Sequence, residues 1–161
     1  MIRLRRLALV VALLAVAAHA QIPEPRGARH KSDVVYLSEA VTVQSGQPSD
    51  VELYFRVADA LHINSHTPSD AAQIPTTLTL APAAGMKVED IHYPSGTRYA
   101  FSFAPKEKLS VYTGDFVVKA RVTAAHAGSY VLTGMLRYQA CDNLLCYPPK
   151  TLPITVIVNA R

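Results

Sequence analysis

The chain has only two cysteines among its 161 residues, so it is not a small scaffold held together by several disulfides. It also lacks an apolar run long enough to span a bilayer. The longest, Leu7–Ala18, has 12 residues, against the ~20 that a membrane helix needs. Beyond the first few residues there is no Lys/Arg cluster of the kind that tracks a phosphate backbone, which argues against nucleic-acid binding. Internal repeats and low-complexity tracts are absent, and a helix is hard to place. The stretch Ala81-Pro82-Ala83-Ala84-Gly85 is short and is broken by Pro82 and Gly85. Neither Ser65 nor Ser110 has a recognisable base and orienting group in the sequence pattern, so hydrolysis is unsupported.

The N-terminus has the composition of a secretory signal peptide. Arg3, Arg5 and Arg6 precede the apolar run, and Ala18-His19-Ala20 supplies small residues at the positions a signal peptidase reads. The alternative is an uncleaved membrane anchor, for which the run is short. No cysteine stands at the expected cleavage point, which argues against a lipid-modified N-terminus. Cleavage after Ala20 leaves residues 21–161, enough for one domain with one core. The formal charge of +4 then falls to +1, because three of the 16 basic residues and none of the 12 acidic ones lie in the signal segment. Residues 21–33, with Pro23, Pro25 and Gly27, read as a flexible lead-in to a domain over 34–161.

That domain reads as all-β. Val51, Leu53, Phe55 and Val57 alternate with Glu52, Tyr54 and Arg56, the period of a half-buried strand. Further strands are expected at 34–38, 60–63, 76–81, 86–92, 116–123, 129–138 and 152–158, and the alternation within 86–92 is imperfect. About eight short strands point to a β-sandwich. Two loops are expected, 64–75 and 93–114. The second is rich in aromatics: Tyr99, Phe101, Phe103 and Tyr112. His62 and His66 are expected in satisfied polar roles.

Cys141 and Cys146 stand at opposite ends of a short turn that Asp142 and Asn143 are suited to initiate. Such a turn can bring two Cα atoms to the 4.4–6.8 Å that a disulfide requires. As a staple the placement is poor, since closing a six-residue loop stabilises by only ~2 kcal/mol, against ~4.7 kcal/mol for a 100-residue loop. A local pair is more typical of cysteines that open and close. Pro148 and Pro149 lack amide hydrogens and interrupt strand pairing beside Cys146, leaving the sulfurs near an accessible edge. Exchange then needs only in-line attack of a thiolate on a sulfur. No strong activator adjoins the pair. Asp142 would disfavour a thiolate and Lys150 would favour one, so the thiol is expected not to be strongly acidic.

The pieces Tyr138-Gln139-Ala140-Cys141, Cys146-Tyr147-Pro148-Pro149 and Thr151-Leu152-Pro153-Ile154 resemble the N-terminal periplasmic domain of the thiol:disulfide interchange protein DsbD. Leu61-His62-Ile63-Asn64-Ser65-His66-Thr67-Pro68 and Leu109-Ser110-Val111-Tyr112 are similar to members of the wider group, and the likeness spans most of 34–159. The resemblance implies a periplasmic immunoglobulin-like sandwich whose cysteines cycle between dithiol and disulfide. It implies electrons received from thioredoxin-like proteins or a membrane reductase, and passed to oxidised proteins such as disulfide isomerases or cytochrome c maturation factors. Cys146 would carry the mixed disulfide and Cys141 would resolve it. A cap loop shields the pair in the family, and Phe101 or Phe103 stands at the position of its aromatic tip, unless both are packing residues. Tyr138, Asp142, Tyr147 and Pro148 are candidate supporting residues. The chain departs from the best-known members in having four residues between the cysteines rather than five. It also ends at Arg161, where they continue into a membrane-embedded domain and a thioredoxin-like domain, so no built-in electron source is expected.

Two other readings stay open. One is an interaction or structural sandwich with an inert hairpin disulfide. The other is a zinc or copper carrier that adds His92, His126, Met86 or Met135 to the cysteines, although Met86 and Met135 are more simply core residues. No cofactor is expected.

Overall fold

In the computed structural model the described residues are 32–101 and 104–161. The expected signal segment, 1–20, and nearly all of the expected lead-in, 21–33, lie outside them. The described residues form twelve strands: β1 (Val34–Tyr36), β2 (Val41–Val43), β3 (Ser49–Val57), β4 (His62–Asn64), β5 (Thr77–Ala81), β6 (Met86–His92), β7 (Thr97–Phe101), β8 (Ala104–Tyr112), β9 (Asp115–Ala124), β10 (Gly128–Tyr138), β11 (Ala140–Cys141) and β12 (Lys150–Ala160). They assemble as three four-stranded sheets, ordered β1-β3-β9-β6, β2-β12-β10-β5 and β11-β4-β8-β7. The architecture is an immunoglobulin-like β-sandwich. Neighbouring strands run antiparallel except β2 and β12, which are parallel.

Alternation builds the core. Val51, Leu53, Phe55 and Val57 of β3 point inward beside Phe116, Val118, Ala120, Val122 and Ala124 of β9. Leu132, Leu136 and Tyr138 of β10 and Ile154, Val156 and Val158 of β12 join them in one buried cluster. Burying each large aliphatic or aromatic side chain contributes roughly 1.5–3 kcal/mol, so this layer carries most of the stability. Phe55 stacks on Phe116 at 5.2 Å, and Phe116 on Tyr112 at 4.8 Å, which ties the first sheet to β8 of the third.

Two expectations are corrected, and one irregularity is explained. Met135, expected in the core, is 52% exposed. Even-numbered residues of β10 face inward, so Met135 lies on the outer face, whereas Met86 is buried. The imperfect alternation of 86–92 reflects a register shift between Val88 and Asp90, where a β-bulge turns the strand over. The largest correction concerns 93–114, which is mostly a β-hairpin of β7 and β8 rather than a loop. The short strands β2 and β11 were also not expected. The 64–75 segment is a loop, as expected.

A close approach fixes the base of the hairpin. A Cβ on Gly96 would meet Ser110 Oγ and lie 2.8 Å from Ser65 Cβ. Those two serines bond to each other at 2.8 Å. Glycine here lets the turn before β7 settle against Ser65, just after β4, and against Ser110 of β8.

Candidate redox site

The third sheet positions the cysteines. β10 ends at Tyr138, and after Gln139 the chain enters β11, where Ala140 pairs with Ile63 and Cys141 with His62 of β4. Gln139 braces this crossing. Its Nε2 donates to Tyr147 O at 3.1 Å, and its Oε1 accepts from Asn64 Nδ2 at 3.4 Å. Tyr138 is buried, and burial pushes its hydroxyl pKa up to about 12, with Asp33 adding to the shift. Tyr138 therefore stays neutral and serves as packing beneath the site.

Asp142 shapes the turn between the cysteines. Its Oδ1 accepts from the amides of Leu144 at 2.7 Å and Leu145 at 2.9 Å, and its Oδ2 accepts from Tyr147 Oη at 2.6 Å. The Tyr147 hydroxyl and these two amides hold the Asp142 carboxyl below the usual carboxylate range. The same contact raises the Tyr147 pKa. Asp142 N donates to Leu145 O at 3.0 Å, and Tyr147 N to Ala140 O at 2.8 Å. Cys141 and Cys146 face each other between these two bonds, at a non-hydrogen-bonded position of an antiparallel bridge. That is the closer of the two kinds of cross-strand position. Their Cα atoms are 3.9 Å apart and they form a disulfide.

The two sulfur-bearing residues differ in exposure. Cys141 is 0% exposed, while Cys146 is on the surface. Leu144 and Leu145, before Cys146, are 82% and 52% exposed. Pro148 and Pro149, after it, are also exposed and lie between the bridge and β12. Cys146 is therefore an exposed residue flanked in sequence by exposed apolar residues.

Sequence reasoning missed two neighbours. The ring of Tyr99, on β7, lies 4.3 Å from the ring of His62, and its hydroxyl donates to Asn143 Oδ1. Among the described side chains of the β7–β8 hairpin, Tyr99 is thus an aromatic set on the turn. Phe103 and the side chain of Phe101, the two candidate caps, lie outside the described residues. His62 is buried, and burial lowers its pKa from the ordinary value, partly offset by the charge of Asp142. Nothing in the linear pattern pointed to this contact, because β8 separates β7 from β4 in the sheet and Tyr99 meets the site only through its side chain. Lys150, weighed as an activator, forms an ion pair with Asp33 at 2.7 Å. His92 pairs with Asp90 at 3.2 Å, and among the described residues no three His, Cys, Asp or Glu side chains form a cluster suited to a metal ion.

The family described as thiol:disulfide interchange protein DsbD, N-terminal, matches residues 31–157. The chain belongs to this family. The cysteine pair is therefore a redox-capable pair on a DsbD N-terminal-type domain. The N-terminal domain of DsbD from Neisseria meningitidis in its reduced form is similar at 21% identity, over 67% of this chain and 76% of that one, with a TM-score of 0.43. The same organism's DsbD N-terminal domain in complex with the PilB N-terminal domain gives 20% identity, 66% and 73% coverage and a TM-score of 0.43. The N-terminal periplasmic domain of ScsB from Proteus mirabilis gives 13% identity over 76% of this chain and 43% of that one, with a TM-score of 0.50. At these identities the ScsB likeness is one of fold. No curated protein matches the chain.

Proposed function

We propose that this domain is a periplasmic thiol:disulfide exchange module. It receives two electrons from a thioredoxin-like or membrane reductase partner and delivers them to oxidised periplasmic proteins through Cys141 and Cys146. Family membership and a formed disulfide support redox activity in general. The observation that carries the specific reading is the difference in exposure, with Cys146 at the surface and Cys141 fully buried. Only an exposed sulfur can line up with an incoming thiolate or disulfide of another protein. Cys146 then carries the mixed disulfide, and Cys141 resolves it from inside. Tyr138, Asp142, Tyr147 and Pro148 hold the frame: Tyr138 packs below, Asp142 and Tyr147 fix the turn, and Pro148 keeps the rim unpaired. The apolar residues around Cys146 suit a protein partner. The complex with PilB known for the meningococcal relative is a precedent for such docking.

The test is trapping. Cys141→Ala leaves Cys146 alone and should accumulate a covalent complex with an oxidised thioredoxin-like protein, seen on non-reducing gels. Cys146→Ala should not. Equal trapping by both variants, or by neither, refutes the assignment.

A further inference from the structure

Resolution of a mixed disulfide needs a thiolate at Cys141, and burial makes a thiol harder to ionise. The sequence offers no strong activator beside the pair, but the third sheet places a histidine opposite Cys141. Cys141 and His62 occupy directly facing positions on antiparallel strands, where side chains share a face with Cβ atoms ~4.5–5.5 Å apart. Both residues are buried, at 0% and 2% exposure. The imidazole is fixed on the ring of Tyr99. Beside it opens a cavity of about 420 Å³ whose lining includes Asp59, Tyr99, Thr113 and Asn143. This cavity gives a proton on His62 a way to solvent.

We propose that His62 accepts the Cys141 proton during resolution, an inference that rests on the roles assigned to the two cysteines above. With Cys146 joined to the partner sulfur, the Cys141 thiol gives its proton to an imidazole nitrogen. The thiolate attacks Cys146 Sγ, the Cys146–partner bond breaks, and the partner sulfur leaves as a thiolate that is then protonated. The pair is oxidised by two electrons and the partner is reduced by two. The titratable groups facing His62 are Cys141 and Asp142 from the cysteine segment, Tyr99 from β7, and Asp59 across the cavity. Burial keeps the imidazole neutral, and so able to accept a proton, down to below its ordinary pKa.

The experiment uses the reduced full chain and the aryl disulfide dithiobis-nitrobenzoate. Attack by one cysteine releases the first coloured thiol, and resolution by the other releases the second. In wild type the second release should be nearly flat from about pH 6.5 to 8. In His62→Phe and His62→Gln, checked for native circular dichroism, it should be at least about tenfold slower at pH 7 and rise with pH as the thiol ionises. The glutamine variant keeps a polar side chain, so a purely structural role would leave its profile like that of wild type. Unchanged pH profiles in both variants overturn the role of His62. A first release that survives Cys146→Ala and is lost in Cys141→Ala instead overturns the order of the sulfurs, and with it the reading this inference rests on.

Discussion

Asp142 illustrates how one side chain sets the geometry of the pair. A sequence view casts it as a charge that opposes a thiolate. In the folded chain its carboxylate is committed to two turn amides and the Tyr147 hydroxyl. Because its pKa is depressed on folding, the stability it contributes is present above the ordinary carboxylate value and is lost as pH falls through the lower folded value. Asp142→Ala should cost about 1 kcal/mol near neutral pH, a modest figure for partly exposed charge-assisted bonds. The gap from wild type should narrow as pH falls through that lowered value. Urea unfolding of both proteins at several pH values checks this, and a gap that stays constant with pH would show that the charge is irrelevant. The roles of Asp142 and Asn143 as turn formers were legible, because short polar side chains bond to nearby amides wherever the chain turns. The spatial partners of Asp142 were not.

At the level of elements, strands with clean alternation were readable: β3, β9, β10 and β12 each bury one face of a period-two pattern. The hairpin of β7 and β8 was not. Its sequence carries Pro105, exposed Lys106 and Lys108, and aromatics at irregular spacing, and that composition looks like loop. Pairing with β4 and the close approach at Gly96 turn it into sheet, and neither shows in a linear pattern. The hairpin matters because Tyr99 reaches the cysteine turn through Asn143 and His62. Tyr99→Phe keeps the ring and removes the hydroxyl. Losing one hydrogen bond of about 1 kcal/mol should make reduction by dithiothreitol roughly fivefold faster, if that bond must break before a thiol reaches the disulfide. Stopped-flow reduction kinetics measure this directly. A rate equal to wild type would mean that β7 does not gate access.

For the whole molecule, the question is whether the disulfide holds the sandwich together or merely sits on it. The two cysteines are already held by backbone bonds on both sides of their bridge and by the Asp142 turn. The buried cluster lies in the strands of all three sheets and does not depend on the link. A six-residue loop limits the entropic contribution of the bond to about 2 kcal/mol. Reduction should therefore lower unfolding stability by no more than that and leave the far-ultraviolet circular dichroism unchanged. Phe55→Ala should instead cost about 3–5 kcal/mol, since it removes a fully buried ring that packs on Tyr36 and Phe116. Urea titrations of oxidised wild type, reduced wild type and oxidised Phe55→Ala put the two effects on one scale. A domain built to exchange electrons must keep its fold in both redox states, so a reduced form that unfolds as readily as the Phe55 variant would mark the bond as a staple.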